Sequence, residues 1–298
     1  MKNLFAATYA PMKDDWSINP GMVGPYADFL KRNKLSGVFI NGSTGDFVSL
    51  TPNERTELLE AWADHKSNGL YLINHVGSNS LKEAEILAAS SVGRADAVAA
   101  IAPFYFKPSN IQQLIDYCKS IALKAKNLPF YYYHLPVLTG VNFPMRSFAE
   151  KAKEQIPNFA GIKFTENNLV EFQKTSLGHP DLDIFFGVDE AFYSSLGLQA
   201  GGWVGSTYNH LSPLFYKIKE EFDKGNLQKA AQLQSFVAKF VEKLSTYGSF
   251  NGSGKSFMKK LGVDCGPSRY PHPTLKDSEI KNAFETFENI GLSEYFSS

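Results

Sequence analysis

Residues 130–165 read FYYYHLPVLTGVNFPMRSFAEKAKEQIPNFAGIKFT. The stretch opens on an apolar, aromatic run, Phe130–His134, that stops just before Pro136. It closes on a second apolar run, Gly161–Phe164. Between them, Met145–Gln155 reads as an amphipathic helix. Strand, helix, strand in one short stretch is a βαβ unit, and such a unit implies parallel strands. A single lysine, Lys163, is set into the second run between Ile162 and Phe164. Burying an unpaired ammonium is costly, so this lysine needs a reason.

The same alternation extends in both directions. Further strand candidates are Leu4–Ala10, Gly37–Asn41, Tyr71–Val76, Ala97–Ala102, Ile184–Val188 and Trp203–Ser206. Most are apolar on both faces, as parallel strands covered by helices should be. Helix candidates fall between them at Met22–Asn33, Thr51–His65, Leu81–Val92, Ile111–Ala125, Leu169–Leu177 and Asp189–Leu198. The run TPNE, residues 51–54, is a capping box with proline at the first helical position. Eight such units predict an α/β chain closed into a (β/α)₈ TIM barrel. An open doubly wound sheet would carry a glycine-rich turn after its first strand. Here that turn is APMKDD, residues 10–15, without glycine. The barrel is expected over residues 1–210. Residues 211–298 hold helical stretches (Pro213–Lys224, Leu227–Tyr247, Lys255–Leu261, Ser278–Asn289) and read as a C-terminal helical extension packed on the barrel, one structural unit with it.

Composition narrows the function. The chain has 298 residues, 43% of them hydrophobic, with 30 basic and 30 acidic side chains. Without a basic block, nucleic acid and anionic membranes are poor partners. Two cysteines, Cys118 and Cys265, cannot make a disulfide scaffold or a four-thiolate zinc site. The opening MKNLFAATYAPMKDD lacks the apolar core of a signal peptide, and no apolar run approaches the ~20 residues of a membrane helix. A cytoplasmic protein is expected.

In this architecture chemistry gathers at the C-terminal ends of the strands. GSTGD, residues 42–46, offers Ser43 and Thr44 with neighbouring backbone N–H groups, a nest for a carboxylate or phosphate. An ordinary helix-capping turn has the same composition. GSTYN, residues 205–209, repeats the chemistry after strand eight. Tyr105 and Lys107 follow strand four, Thr165 follows Lys163, and GVDE, residues 187–190, places Asp189 and Glu190 after strand seven. Acids favour helix starts anyway; here they also suit a polyhydroxylated substrate. A desolvated Lys163 would be partly unprotonated at neutral pH and able to attack a ketone, giving an imine that acts as an electron sink. A surface or ion-paired lysine is the plainer alternative. Tyr131 and Tyr133 share one strand face, and nearness to the strand end favours Tyr133 as a proton relay. His75 and His134 read as core or supporting residues. No metal and no cofactor are expected.

In order and spacing, GSTGD, YYYHLPVLTGV, GIKFT, GVDE and GSTYN resemble the motifs of the N-acetylneuraminate lyase (sialic acid aldolase) family, within the pyruvate-dependent class I aldolases that include dihydrodipicolinate synthase. The resemblance runs from about Leu4 to Asn209. It implies that Lys163 forms a Schiff base with the C2 ketone of open-chain sialic acid, or with pyruvate in reverse. Tyr133 would shuttle the C4 hydroxyl proton, through the substrate carboxylate that Ser43 and Thr44 bind. Thr165, Asp189, Glu190 and Ser206 would contact the sugar chain. Gly187 and Gly205 would give close backbone approach, and Tyr105 would help complete the site near a subunit contact. Pyruvate and N-acetylmannosamine would be the products, and the assembly a homotetramer. Asp46 departs from the glutamate usual in the family, which puts its supporting contact in question. Leu138 stands where dihydrodipicolinate synthases carry an arginine that holds a dicarboxylic product, so a dicarboxylate fits poorly. Two other readings stay open: an aldolase for another 2-keto-3-deoxy sugar acid, and a keto-acid- or sialic-acid-binding barrel without turnover. A binder has no need of an imine-forming amine beside a tyrosine.

Overall fold

The structure, a computed structural model, describes residues 3–66 and 69–298. Eight strands form a closed barrel in chain order: β1 (Asn3–Ala7), β2 (Gly37–Ile40), β3 (Tyr71–His75), β4 (Ala97–Ile101), β5 (Phe130–His134), β6 (Phe159–Phe164), β7 (Asp183–Phe186) and β8 (Gly202–Gly205). Neighbours pair in parallel throughout, and β8 closes on β1. The expected (β/α)₈ barrel is the observed fold, with strand ends displaced by a few residues. β1 stops at Ala7 rather than Ala10. β7 stops at Phe186, which leaves the whole GVDE segment beyond the strand.

Helices α1 (Val23–Arg32), α2 (Pro52–Asp64), α3 (Leu81–Ser90) and α4 (Ile111–Lys124) alternate with the first strands. The capping box at Thr51 forms: its hydroxyl accepts from the Glu54 N–H at 3.2 Å and the Glu54 carboxylate accepts from the Thr51 N–H at 2.8 Å. A short helix the hydrophobic pattern does not show, α5 (Pro136–Thr139), follows β5. Pro136 starts it and Gly140, at φ 63°, ends it. Then come α6 (Met145–Gln155) and α7 (Leu169–Gly178). The helix expected over Asp189–Leu198 is a single 3₁₀ turn, Asp189–Ala191, and then α8 (Phe192–Ser195).

Side chains divide by strand alternation. Phe5, Phe39, Ile73, Tyr131, Tyr133 and Phe185 fill the barrel interior. Val38, Tyr132, Ile162, Phe164 and Phe186 face the helices. Tyr132, fully buried, packs on Phe148 of α6 at 4.6 Å between ring centres. Burying a ring of that size stabilises by roughly 1.5–3 kcal/mol, so Tyr132 is spoken for by the core.

α9 (Tyr208–Asp223) spans residue 210, with a break in helical geometry at Leu211 just before Pro213. α10 (Leu227–Ser245), α11 (Phe250–Phe257) and α12 (Asp277–Asn289) complete the chain. The C-terminal residues are tied back on the barrel. The Ser297 N–H donates to the His210 carbonyl at 2.7 Å, and the Asn33 amide donates to the Ser298 carbonyl at 2.9 Å. Among the described residues no helix is long and apolar enough to cross a membrane.

Candidate active site

β5 and β6 lie side by side with Tyr133 directly opposite Lys163. Lys163 is 4% exposed. Its Nζ is 4.0 Å from the centre of the Tyr133 ring and 4.1 Å from that of Phe39. Aromatic faces attract a cation but replace water poorly. Burial therefore pulls the amine pKa from 10.5 down to about 7, against a smaller upward pull from Asp189. Much of the amine is then free at neutral pH.

Tyr133 is buried as well, and its hydroxyl donates to Ser43 Oγ at 3.4 Å. Burial pushes the phenol up to about 12, with the Ser43 and Thr165 hydroxyls working the other way. It is a neutral phenol at physiological pH. Tyr131 points to the same interior but donates to Asp183 Oδ2 at 3.0 Å, and Asp183 begins β7 at the opposite end of the barrel. Only the third tyrosine of the run is at the mouth.

The loop after β2 supplies Ser43, Thr44 and Asp46. Asp46 has φ 50°, a left-handed conformation that aspartate tolerates better than longer side chains do. Its Oδ2 accepts from the Ser49 hydroxyl within the same turn. One methylene less than glutamate suits both the backbone and this contact. Ser43, Thr44 and Asp46 line a cavity of about 490 Å³. Its other walls come from Phe47 and Val48 of the same loop, Ile101 at the end of β4 and Phe104 after it, Leu138 and Thr139 of α5, and Phe250, Asn251 and His272 of the C-terminal region. Ser43 joins this cavity to Tyr133.

The β6–β8 arc of the rim carries the remaining candidates. Asp189 is 4% exposed, and its Oδ2 accepts from the Thr207 N–H at 2.8 Å and the Thr207 hydroxyl at 2.7 Å. Burial, with Glu190 adjacent, raises its pKa to about 6, while Thr207 and Lys163 pull it down. Oδ1 has no hydrogen-bond partner among the described residues. Glu190 is exposed, and Ser206 and Thr165 are partly exposed. Gln234 of α10 fastens this segment by donating to the carbonyls of Asp189 (3.1 Å) and Glu190 (3.0 Å). The two glycines have a visible use. A Cβ at Gly205 would run into Asp189 Oδ1, and one at Gly187 into Thr165 Oγ1. Their close approach is to these polar side chains.

Thr207, Tyr208 and Asn209 are buried. Asn209 accepts from Tyr26 Oη at 2.6 Å and donates to the Ala7 carbonyl at 2.8 Å, so this half of GSTYN holds β8 against β1 and α1. Tyr105 is 76% exposed, its ring against Phe106, and is not among the cavity walls of one chain. His75 is fully buried, in contact with the Asn41 carbonyl through Nδ1 (2.8 Å) and accepting from the Ile101 N–H at Nε2 (3.2 Å). His134 Nε2 is 3.3 Å from Glu166. Among the described residues no group of three or more His, Cys, Asp or Glu could hold a metal ion.

This arrangement is a desolvated amine paired with a neutral phenol, below a hydroxyl-lined loop. Comparison with known proteins gives it a lineage. The model of the dihydrodipicolinate synthetase family matches residues 1–289. The chain belongs to that family. Among its relatives, N-acetylneuraminate lyase A of Xenopus laevis is 37% identical over 275 residues, which cover 91% of this chain and 90% of that one. The human N-acetylneuraminate lyase is 36% identical over 278 residues, 91% of this chain and 87% of its own. The solved structure of Proteus mirabilis N-acetylneuraminate lyase superposes with a TM-score of 0.93 at 31% identity, covering 98% of this chain and 99% of that one.

In this member of the family, sequence reasoning missed the cavity wall formed by Phe250, Asn251 and His272. Nothing in YGSFNGSGK or in the lone His272 marks them, since they meet the β2 loop only through the fold.

Proposed function

We propose that the protein is a class I aldolase that cleaves N-acetylneuraminate reversibly to N-acetylmannosamine and pyruvate. The observation that carries this is the buried Lys163 in direct register with Tyr133, in a setting that pulls its amine pKa down to about 7. The Lys163 amine adds to the C2 ketone of the open-chain sugar acid and water leaves, giving a protonated imine. The C3–C4 bond then breaks. Its electron pair passes to C3 and into the imine as an enamine, while the C4 hydroxyl gives up its proton and becomes the aldehyde of N-acetylmannosamine. Tyr133 serves this proton transfer through the substrate carboxylate. Protonation of the enamine at C3 and hydrolysis of the imine release pyruvate and restore the lysine.

The other assignments follow the same reading. Ser43 and Thr44 hold the carboxylate, and Thr165, Asp189 Oδ1, Glu190 and Ser206 take the hydroxylated tail. Gly187 and Gly205 let Thr165 and Asp189 close in, and Asp46 shapes the carboxylate loop. Leu138 at the cavity wall offers no cation for a second carboxylate. The exposed Tyr105 and Phe106 favour a homotetramer in which a second copy covers them. Two free, buried cysteines fit a reducing, cytoplasmic setting. The ties of the tail to His210 and Asn33 favour one unit made of a 1–210 barrel and a 211–298 extension.

Borohydride reduction in the presence of pyruvate, followed by peptide mass spectrometry, tests the chemistry: a pyruvyl adduct on Lys163 is expected. No adduct, or one on another lysine, overturns it. Pyruvate release across a panel of sialic acids and 2-keto-3-deoxy sugar acids tests the substrate. Turnover of the shorter acids alone would replace sialic acid by them.

A further inference from the structure

The cavity wall supplied by the C-terminal region contacts the loop proposed to bind the carboxylate. Asn251 Nδ2 donates to the Ser43 carbonyl at 3.3 Å. The same Nδ2 is 3.4 Å from His272 Nε2. The other ring nitrogen of His272, Nδ1, is 3.2 Å from the Ser249 hydroxyl. Ser249 is the N-cap of α11 and accepts from the Gly252 N–H. With Nδ1 protonated and donating to Ser249, Nε2 is left as an acceptor, and the Asn251 amide can serve it and Ser43 with its two hydrogens. Asp46 Oδ1 lies 3.8 Å from the same Nε2.

A second hold grips the far end of the loop. Arg269 donates to the Ser49 carbonyl at 2.7 Å and to the Trp16 carbonyl at 2.8 Å, and pairs with Glu54 at the start of α2. The loop from Ser43 to Ser49 is thus held at both ends by residues some two hundred positions later in the chain. At the first hold, the Ser43 hydroxyl also accepts from Tyr133. A shift of the Ser43 backbone therefore displaces a residue proposed to bind the substrate carboxylate.

Building on the aldolase reading above, we propose that Asn251 and His272 are positioning residues that set the Ser43–Thr44 loop for the substrate carboxylate. Asn251 fixes the Ser43 peptide, and His272 fixes the Asn251 amide. Neither meets the reacting atoms. Their loss weakens capture of the α-keto acid while leaving the Lys163 amine intact.

Pyruvate-dependent borohydride trapping on the full chain, followed by intact mass, reads this directly. In wild type the trapped fraction gives a half-saturating pyruvate concentration. Asn251→Ala and His272→Ala should raise it about fivefold, the factor that ~1 kcal/mol of hydrogen bonding makes, with the plateau at saturating pyruvate unchanged. In sialic acid cleavage the same variants should raise KM with kcat within about twofold. His272→Gln, whose amide oxygen can accept from Asn251, should recover most of the loss. Asn251→Asp keeps the shape, removes the donor and sets an acceptor against the Ser43 carbonyl, so it reports even if the alanine variant does not fold. Half-saturation unchanged in Asn251→Asp and His272→Ala overturns the proposal, as does loss of the plateau in step with kcat. Absence of trapping in wild type would instead overturn the aldolase reading.

Discussion

Replacing Lys163 with methionine should abolish activity and stabilise the fold. An ordinary lysine holds its proton to about pH 10.4, whereas burial brings Lys163 down to about 7. The folded state therefore disfavours the charged form, and the unfolded chain gains by taking the proton up. That penalty is complete below pH 7, fades as pH rises from 7 toward 10, and is gone above the unfolded pKa. At pH 7 it is about 4 kcal/mol, from the ~1.4 kcal/mol carried by each pH unit between the two pKa values. Methionine, also unbranched and one heavy atom shorter, packs against Phe39 and Tyr133 without charge. Equilibrium urea unfolding of both proteins from pH 7 to pH 9.5 measures the effect. The variant should be more stable at pH 7 by up to that amount, and its advantage should shrink at close to 1.4 kcal/mol per pH unit. Parallel stability curves across this range would mean that Lys163 is charged in the folded protein, and the basis of its reactivity would be gone.

The rate of pyruvate trapping on Lys163 should follow the free amine, rising through pH 7 and levelling above pH 8; a midpoint at pH 9 or higher contradicts the buried-amine reading. Tyr133→Phe should lower cleavage about 10²–10⁴-fold while the pyruvate adduct still forms, and unchanged cleavage would remove Tyr133 from the proton path. Gly205→Ala should cost a few kcal/mol, because its Cβ strikes Asp189 Oδ1; calorimetric melting equal to wild type would show that Asp189 moves aside freely.

Much of the site was legible in the sequence because it lies on repeating local units. Each βα unit ends its strand in a loop, so GSTGD, Lys163 and GVDE could be assigned to one rim by order alone. Local patterns also misled. GVDE reads as a helix start, yet Asp189 turns inward to Thr207 and only one 3₁₀ turn forms before α8. GSTYN looks like a second anion nest, but Thr207 and Asn209 are consumed by hydrogen bonds with Asp189, Ala7 and Tyr26, and the Tyr208 ring is packed on Phe192 and Phe215. A periodic pattern records which face a residue occupies and is silent on which distant group its side chain meets.

The sequence by itself determined the barrel, the shared strand face of Tyr131 and Tyr133, and the apolar setting of Lys163. These follow from strand alternation and the order of units, which are local. Nearness to the strand end already favoured Tyr133 over Tyr131, but its pairing with the amine rests on the β5–β6 register and on Asp183 engaging Tyr131 at the opposite end, which only the tertiary structure supplies. The tertiary structure also brought Asn251, Arg269 and His272 onto a loop two hundred residues earlier. Such contacts join residues through the closure of the barrel and the return of the chain over its mouth, and no short-range pattern encodes them.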